Sequence, residues 1–299
     1  MVRPASGEDV RRRCEPGGFR TPGRRTPGAD AVAGPLELTR QYTLGTMKPA
    51  LHNMARPPWP EPTVSWLLGS PGAATRLRVL DLGSGTGSGT RAAAALGHRV
   101  LDVDPSAGML SVLEGESKRM PAHIGARITS AMGSAERLPC PDRSVDALLC
   151  LQAWQWVSPP EAAHECLRVL VPGGSLAMAW HTWDRSVPWV REVAAIVDQP
   201  EPSLSHGASL PRGIAGLGGF EQREFRLDFE LTVDRLVQLA DSWTYVRRRP
   251  DRAAVLERIR SLGNRQAGGT GRLTFPHLTE CYRALKLFES QRSHHEPPI

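Results

Sequence analysis

An apolar run, Arg78 to Leu82, leads through Asp81-Leu-Gly-Ser-Gly-Thr-Gly87 into an alanine-rich stretch, Thr86 to Leu96, that reads as a helix. Strand, glycine turn and helix in that order constrain most of what the chain can become. Glycines let a ligand approach the main chain, and a helix N-terminus offers free N–H groups, so the three parts together form a cradle for a nucleoside-bearing cofactor. A dinucleotide fingerprint requires G-x-G-x-x-G. Counting from Gly83 the sixth position is Ser88, and from Gly85 it is Thr90, so neither register fits. A second acid, Asp104, closes the strand Arg99 to Asp104 about 20 residues beyond the first glycine, where a carboxylate can accept hydrogen bonds from both ribose hydroxyls.

From Arg56 onward, strands alternate with helical patterns, the signature of βαβ units in a parallel sheet. Gly97 closes the first helix, and Ser106 caps a second that runs to about Arg119. Further strands are expected at Arg127 to Met132, Val145 to Leu151 and Ser175 to Trp180. Helices are expected at Pro159 to Leu170 and Val187 to Val197. Toward the C-terminus, Arg223 to Leu231 alternates like a partly exposed strand. Thr232 to Val246 and Arg252 to Leu262 read as helices, and Gly271 to Phe275, with Tyr282 nearby, as a last strand.

With 299 residues, 40% of them hydrophobic, the chain can bury one full α/β core with decorated ends. Residues 1–40, rich in Gly, Pro and Arg and without apolar periodicity, are expected to form a disordered basic extension. The domain is expected over 41–284, and a flexible tail over 285–299. Five scattered cysteines give neither a disulfide framework nor a metal site, so a reducing cytoplasm is the expected location. There is no apolar run long enough to span a membrane, and no obligate protein partner is evident. The net charge of +6 hints at nucleic acid until it is divided along the chain. Residues 57–239 hold 16 Lys and Arg against 20 Asp and Glu, so the basic excess sits at the two ends. That distribution argues against nucleic acid as the partner.

The form D-x-G-x-G-x-G resembles the first motif of the class I S-adenosylmethionine (SAM) methyltransferases, and later segments resemble the small-molecule type 11 group. These are Ala55-Arg-Pro-Pro-Trp-Pro60, Val103-Asp-Pro-Ser-Ala-Gly-Met-Leu110, Gly133 to Asp142, Gln152-Ala-Trp-Gln-Trp156, Arg168 to Gly174 and Trp180 to Trp189. Their order and spacing carry the resemblance from Arg56 to about Ala284. It implies a Rossmann-like seven-stranded sheet in the order 3-2-1-4-5-7-6, strand 7 antiparallel, with helices on both faces. It implies SAM as cofactor and a small-molecule acceptor. A SAM-binding relative without turnover, and an RNA methyltransferase, are the alternatives.

On this resemblance the cofactor residues are Asp81, Gly83, Gly85, Gly87, Asp104, Ser134, Ala135, Glu136 and Gln152. Trp154, Gln155, Trp156 and Trp183 are the expected acceptor pocket, and His181, following strand 5, is the candidate general base. The chain departs from its relatives at Ser134, where many carry Asp, at Gln155, where many carry His, and at Trp59, in a tyrosine position. A lid helix is hard to see between Thr43 and Met54, where Gly45 and Pro49 interrupt it.

Overall fold

A computed structural model describes residues 56–69, 76–198 and 210–288. The N-terminal extension, the Thr43 to Met54 segment and the end of the tail lie outside them. Helix α1 (Glu61–Leu68) begins after Pro60, with another proline in the first turn where no N–H is needed, and ends at Gly69 in the left-handed region. Parallel strands β1 (Arg78–Leu82), β2 (Arg99–Asp104), β3 (Ile128–Met132), β4 (Val145–Leu151) and β5 (Leu170–Trp183) follow in the sheet. Between them run α2 (Ser88–Ala95), α3 (Ala107–Lys118), α4 (Ala122–Gly125) and α5 (Pro159–Val169). After β5 come α6 (Pro188–Ile196), β6 (Glu221–Thr232), α7 (Val233–Ser242), α8 (Thr244–Arg247), α9 (Arg252–Ala267) and β7 (Arg272–Leu285).

The seven strands lie in the order β3-β2-β1-β4-β5-β7-β6, and β7 runs antiparallel to both neighbours, as the resemblance implied. No helix among the described residues is long and apolar enough to cross a membrane. One sheet face packs Leu80, Leu101, Leu148 and Leu176 against Ala162 and Cys166 of α5. The other packs Val79, Val100 and Leu149 against Val64 and Leu67 of α1 and Ala93 of α2. Strands buried on both faces read as continuous apolar runs, which is why β1, β2 and β4 are plain in the sequence. Burying each Leu or Val stabilises by roughly 1.5–3 kcal/mol, so both faces hold the sheet edge that carries the glycine loop.

Three elements extend differently from the sequence expectation. β5 begins at Leu170, because Pro172-Gly-Gly174 is a bulge inside it, marked by the shifted register between the Val145–Leu170 and Ala147–Ser175 pairs. The long helix over Thr232 to Val246 is two, because the Trp243 backbone takes ψ 126° and leaves the helical region. β7 continues through Pro276 to Leu285. The Pro276 carbonyl accepts from the Asp184 N–H on the β5 edge, past the end of β5, so the missing proline N–H costs no bond to β6. Beyond β7, Lys286 is buried, and its ammonium donates to the Leu167 and Leu170 carbonyls at the end of α5.

Candidate active site

At the carboxyl edge of the sheet, β1, β2, β4 and β5 surround a cavity of about 400 Å³, within the range of small-molecule and cofactor sites. Asp81, Gly83, Gly85, Asp104, Ala135, Gln152, Gln155, Trp156 and His181 all line it. Gly85 has φ +57°, and a Cβ built there meets nothing within 4 Å, so its backbone faces open space that a ligand can enter. Gly87 lies outside the cavity lining. At φ +81° it is the cap of α2, and a Cβ would stand 2.4 Å from Leu113, so its constraint is the packing of α3.

Asp104 is held from two sides. One carboxylate oxygen accepts from the Gly85 N–H at 3.0 Å and the other from the Ser106 N–H at 2.8 Å, which couples the second acid to the glycine loop. Ser106 in turn caps α3, its hydroxyl accepting from the Met109 N–H at 3.3 Å. Asp81 is buried and accepts from the Thr90 hydroxyl at 2.6 Å. Burial pushes its pKa up to about 6, the Thr90 bonds oppose the rise, and the Asp104 charge adds to it.

The segment after β4 is built around two glutamines. Gln152 takes φ +56°, a conformation that costs a side-chain-bearing residue energy and recurs at functional sites. Its side chain donates to the His181 carbonyl at 3.2 Å. Gln155 accepts from the Trp180 indole at 2.9 Å and donates to the Gln152 carbonyl at 2.9 Å, which fixes the turn between β4 and α5. Trp156 is half-buried at the rim, whereas Trp154 is fully buried in the core below. Trp183 points away from the cavity, its ring 4.7 Å from Trp243 and 5.6 Å from Phe275.

Of the three residues expected around an adenine ring, Ala135 alone lines the cavity. Ser134 forms a bridge with Arg137, and Glu136 accepts from the Ser158 N–H at 3.0 Å, joining its loop to the start of α5. The strap Arg56 to Trp59, quoted in the resemblance but not among the expected site residues, also lines the cavity, together with Ser84, Arg91 and Met109. The signal was present in Arg-Pro-Pro-Trp-Pro, since consecutive prolines hold a chain extended.

Trp59 of the strap stacks on His181 with ring centroids 3.9 Å apart and planes 21° apart. The Nδ1 atom of His181 pairs with the Thr279 hydroxyl at 2.8 Å, while Nε2 is buried without a hydrogen bond among the described residues. Burial lowers the pKa of the ring to about 3, with His277 and Arg56 contributing and the nearby Pro58 carbonyl opposing. His181 is therefore neutral at pH 7.

A family profile described as a methyltransferase domain matches residues 80–178. An uncharacterised methyltransferase of Mycobacterium tuberculosis is 35% identical over 237 residues, covering 78% of this chain and 91% of the relative. A second, from Schizosaccharomyces pombe, is 30% identical over 79% of this chain and 94% of its own. Among solved structures, one described as a type II methyltransferase from Anaeromyxobacter dehalogenans superposes with a TM-score of 0.56. It is 24% identical and covers 77% of this chain and 97% of its own, a likeness of fold.

Proposed function

The chain belongs to the class I SAM-dependent methyltransferases, and from that premise we propose that it transfers the methyl group of SAM to a small-molecule acceptor. The observation that carries the donor assignment is the Asp104 carboxylate, oriented by Gly85 and Ser106 beside an open glycine backbone. Gly83, Gly85, Asp104, Ala135 and Gln152 are the residues that would hold the donor, with Asp104 at its ribose. When bound, SAM supplies a methyl group already activated by a positively charged sulfur. The protein's task is then alignment, and fixing two reactants in line can supply roughly 7–11 kcal/mol of the barrier.

Gln152, held by its strained backbone and by the His181 carbonyl, keeps the end of β4 rigid on the methionine side of the cavity. The strap of Arg56 to Trp59 excludes water from that side by stacking on His181. In this reading His181 is the post on which the strap rests, and not the base. A conjugate-acid pKa near 3 makes it a poor proton acceptor at neutral pH.

Titration calorimetry with SAM and with S-adenosylhomocysteine (SAH) tests the donor, and an acceptor screen that detects released SAH tests turnover. The wild type is expected to bind both. Asp104→Ala is expected to lose at least about tenfold in affinity, the scale of one or two hydrogen bonds to a charged group, with an unchanged circular dichroism spectrum. Equal affinity in the two proteins refutes the site, and no binding by the wild type refutes the donor.

A further inference from the structure

β2 ends at Asp104, and the strand outside it in the sheet is β3. On that side the cavity is lined by Pro105 and Met109, from the turn into α3 and its first turn, and by Gly133 and Ala135, from the loop after β3. None of these four residues has a side chain that donates a hydrogen bond, and the single side-chain acceptor among them is the weak thioether of Met109. A Cβ on Gly133 would stand 2.9 Å from Pro139 and 3.0 Å from Val103, so this wall leaves no room for a polar side chain there. The polar residues of the same loop lie outside the lining. Ser134 bridges to Arg137, and the Glu136 carboxylate is turned to the Ser158 N–H at 3.0 Å.

We propose that this end of the cavity is the base pocket of the donor site, and that it takes a purine by apolar contact without reading the exocyclic amine. The assignment rests on the methyltransferase reading, because it concerns the specificity of the donor's own site. A site built to hydrogen-bond an amine rejects an analogue that lacks it, since the buried acceptor is then left unpaired. Here, among the described residues, no side-chain oxygen lines the base end to be left unpaired. The amine keeps its hydrogen bonds to water, and removing it costs the complex little. Binding of the base then comes from its ring faces, buried against Pro105, Ala135 and the polarisable Met109. Recognition of the donor falls to Asp104 at the ribose and to the glycine loop.

The test titrates the full chain by calorimetry with SAH and with its 6-deamino analogue, which carries purine in place of adenine and keeps every other atom. The wild type is expected to bind the two within about fivefold of each other, less than a hydrogen bond to a charged group supplies. A larger preference for SAH overturns the proposal. Ser134→Ala and Glu136→Gln are expected to leave the ratio of the two affinities unchanged, and a loss confined to SAH in either variant would make that residue the reader of the amine and overturn the proposal. Ala135→Val adds bulk at the base end and is expected to weaken both ligands by the same factor, with an unchanged circular dichroism spectrum. Full affinity for both ligands in that variant places the base elsewhere and overturns the proposal, as does a loss of SAH alone. A wild type that fails to bind SAH overturns the donor reading and this proposal together, whereas SAH binding with a strong preference for the amine overturns this proposal alone.

Discussion

Asp102 lies in register with Asp81 on the neighbouring strand, buried, with the Ser130 hydroxyl donating to one oxygen at 2.8 Å and, among the described residues, no partner for the other. Burial raises its pKa from 3.8 to about 7, Ser130 opposes the rise, and the Asp81 charge adds to it. A carboxyl whose pKa is higher folded than unfolded holds its proton more tightly in the native state. Its contribution to stability is whole below about pH 4 and is lost progressively as pH rises to about 7, a loss on the order of a few kcal/mol. Asp102→Asn keeps the shape and removes the charge. The variant should match the wild type in urea stability near pH 4 and exceed it by a margin that grows up to about pH 7.5 and then stays level. A margin that does not change with pH would show that Asp102 is not the titrating group. Asp104 was legible in the sequence because its distance from Gly83 has a chemical reason. The part played by Gln155 was not, since nothing in the chain announces that its amide meets the Trp180 indole.

Helix α2 is the element on which the glycine loop is mounted, and it sits unusually close to the sheet. A Cβ on Gly89 would stand 2.4 Å from Leu151 Cδ1 and 3.3 Å from an Asp81 oxygen, both on residues that line the cavity. Gly89→Ala should therefore lift the N-terminal turn of α2 from β4, at the cost of about 1–3 kcal/mol usual for overpacking. Its melting temperature should fall, and SAM affinity should fall with it, because the displaced turn carries the loop. A variant with wild-type melting temperature and affinity would mean that Leu151 simply rotates away. Elements with one clean period were readable in advance, α2 by its alanines and β4 by its apolar run. β5 and β7 were read too short because a Pro-Gly-Gly bulge and an internal proline look like chain breaks, and their effect depends on which edge of the strand is free.

Among the described residues the molecule packs as three apolar clusters, two on the faces of the sheet and a third at its β7–β6 end. In the third, Val190 and Val193 of α6, Leu236 and Leu239 of α7, and Val255 and Ile259 of α9 surround Phe275. Trp183 joins it, which explains why a tryptophan expected in the acceptor pocket is found behind it. Hydrophobic periodicity marks which face of each helix is buried but not which surface covers it, so this separation could not be read from the chain. The donor residues rest on the two sheet clusters, while Trp183 and Trp243 belong to the third. Leu148→Ala and Leu236→Ala remove fully buried side chains from different clusters, each at roughly 2–5 kcal/mol. Leu148→Ala should lower protection from hydrogen exchange across the central strands and weaken SAH binding. Leu236→Ala should speed exchange in α7 and α9 and leave SAH affinity near that of the wild type. Equal losses of SAH affinity in the two variants would show that the clusters open as one unit, because a change confined to α7 can leave the glycine loop intact only if the third cluster unfolds on its own.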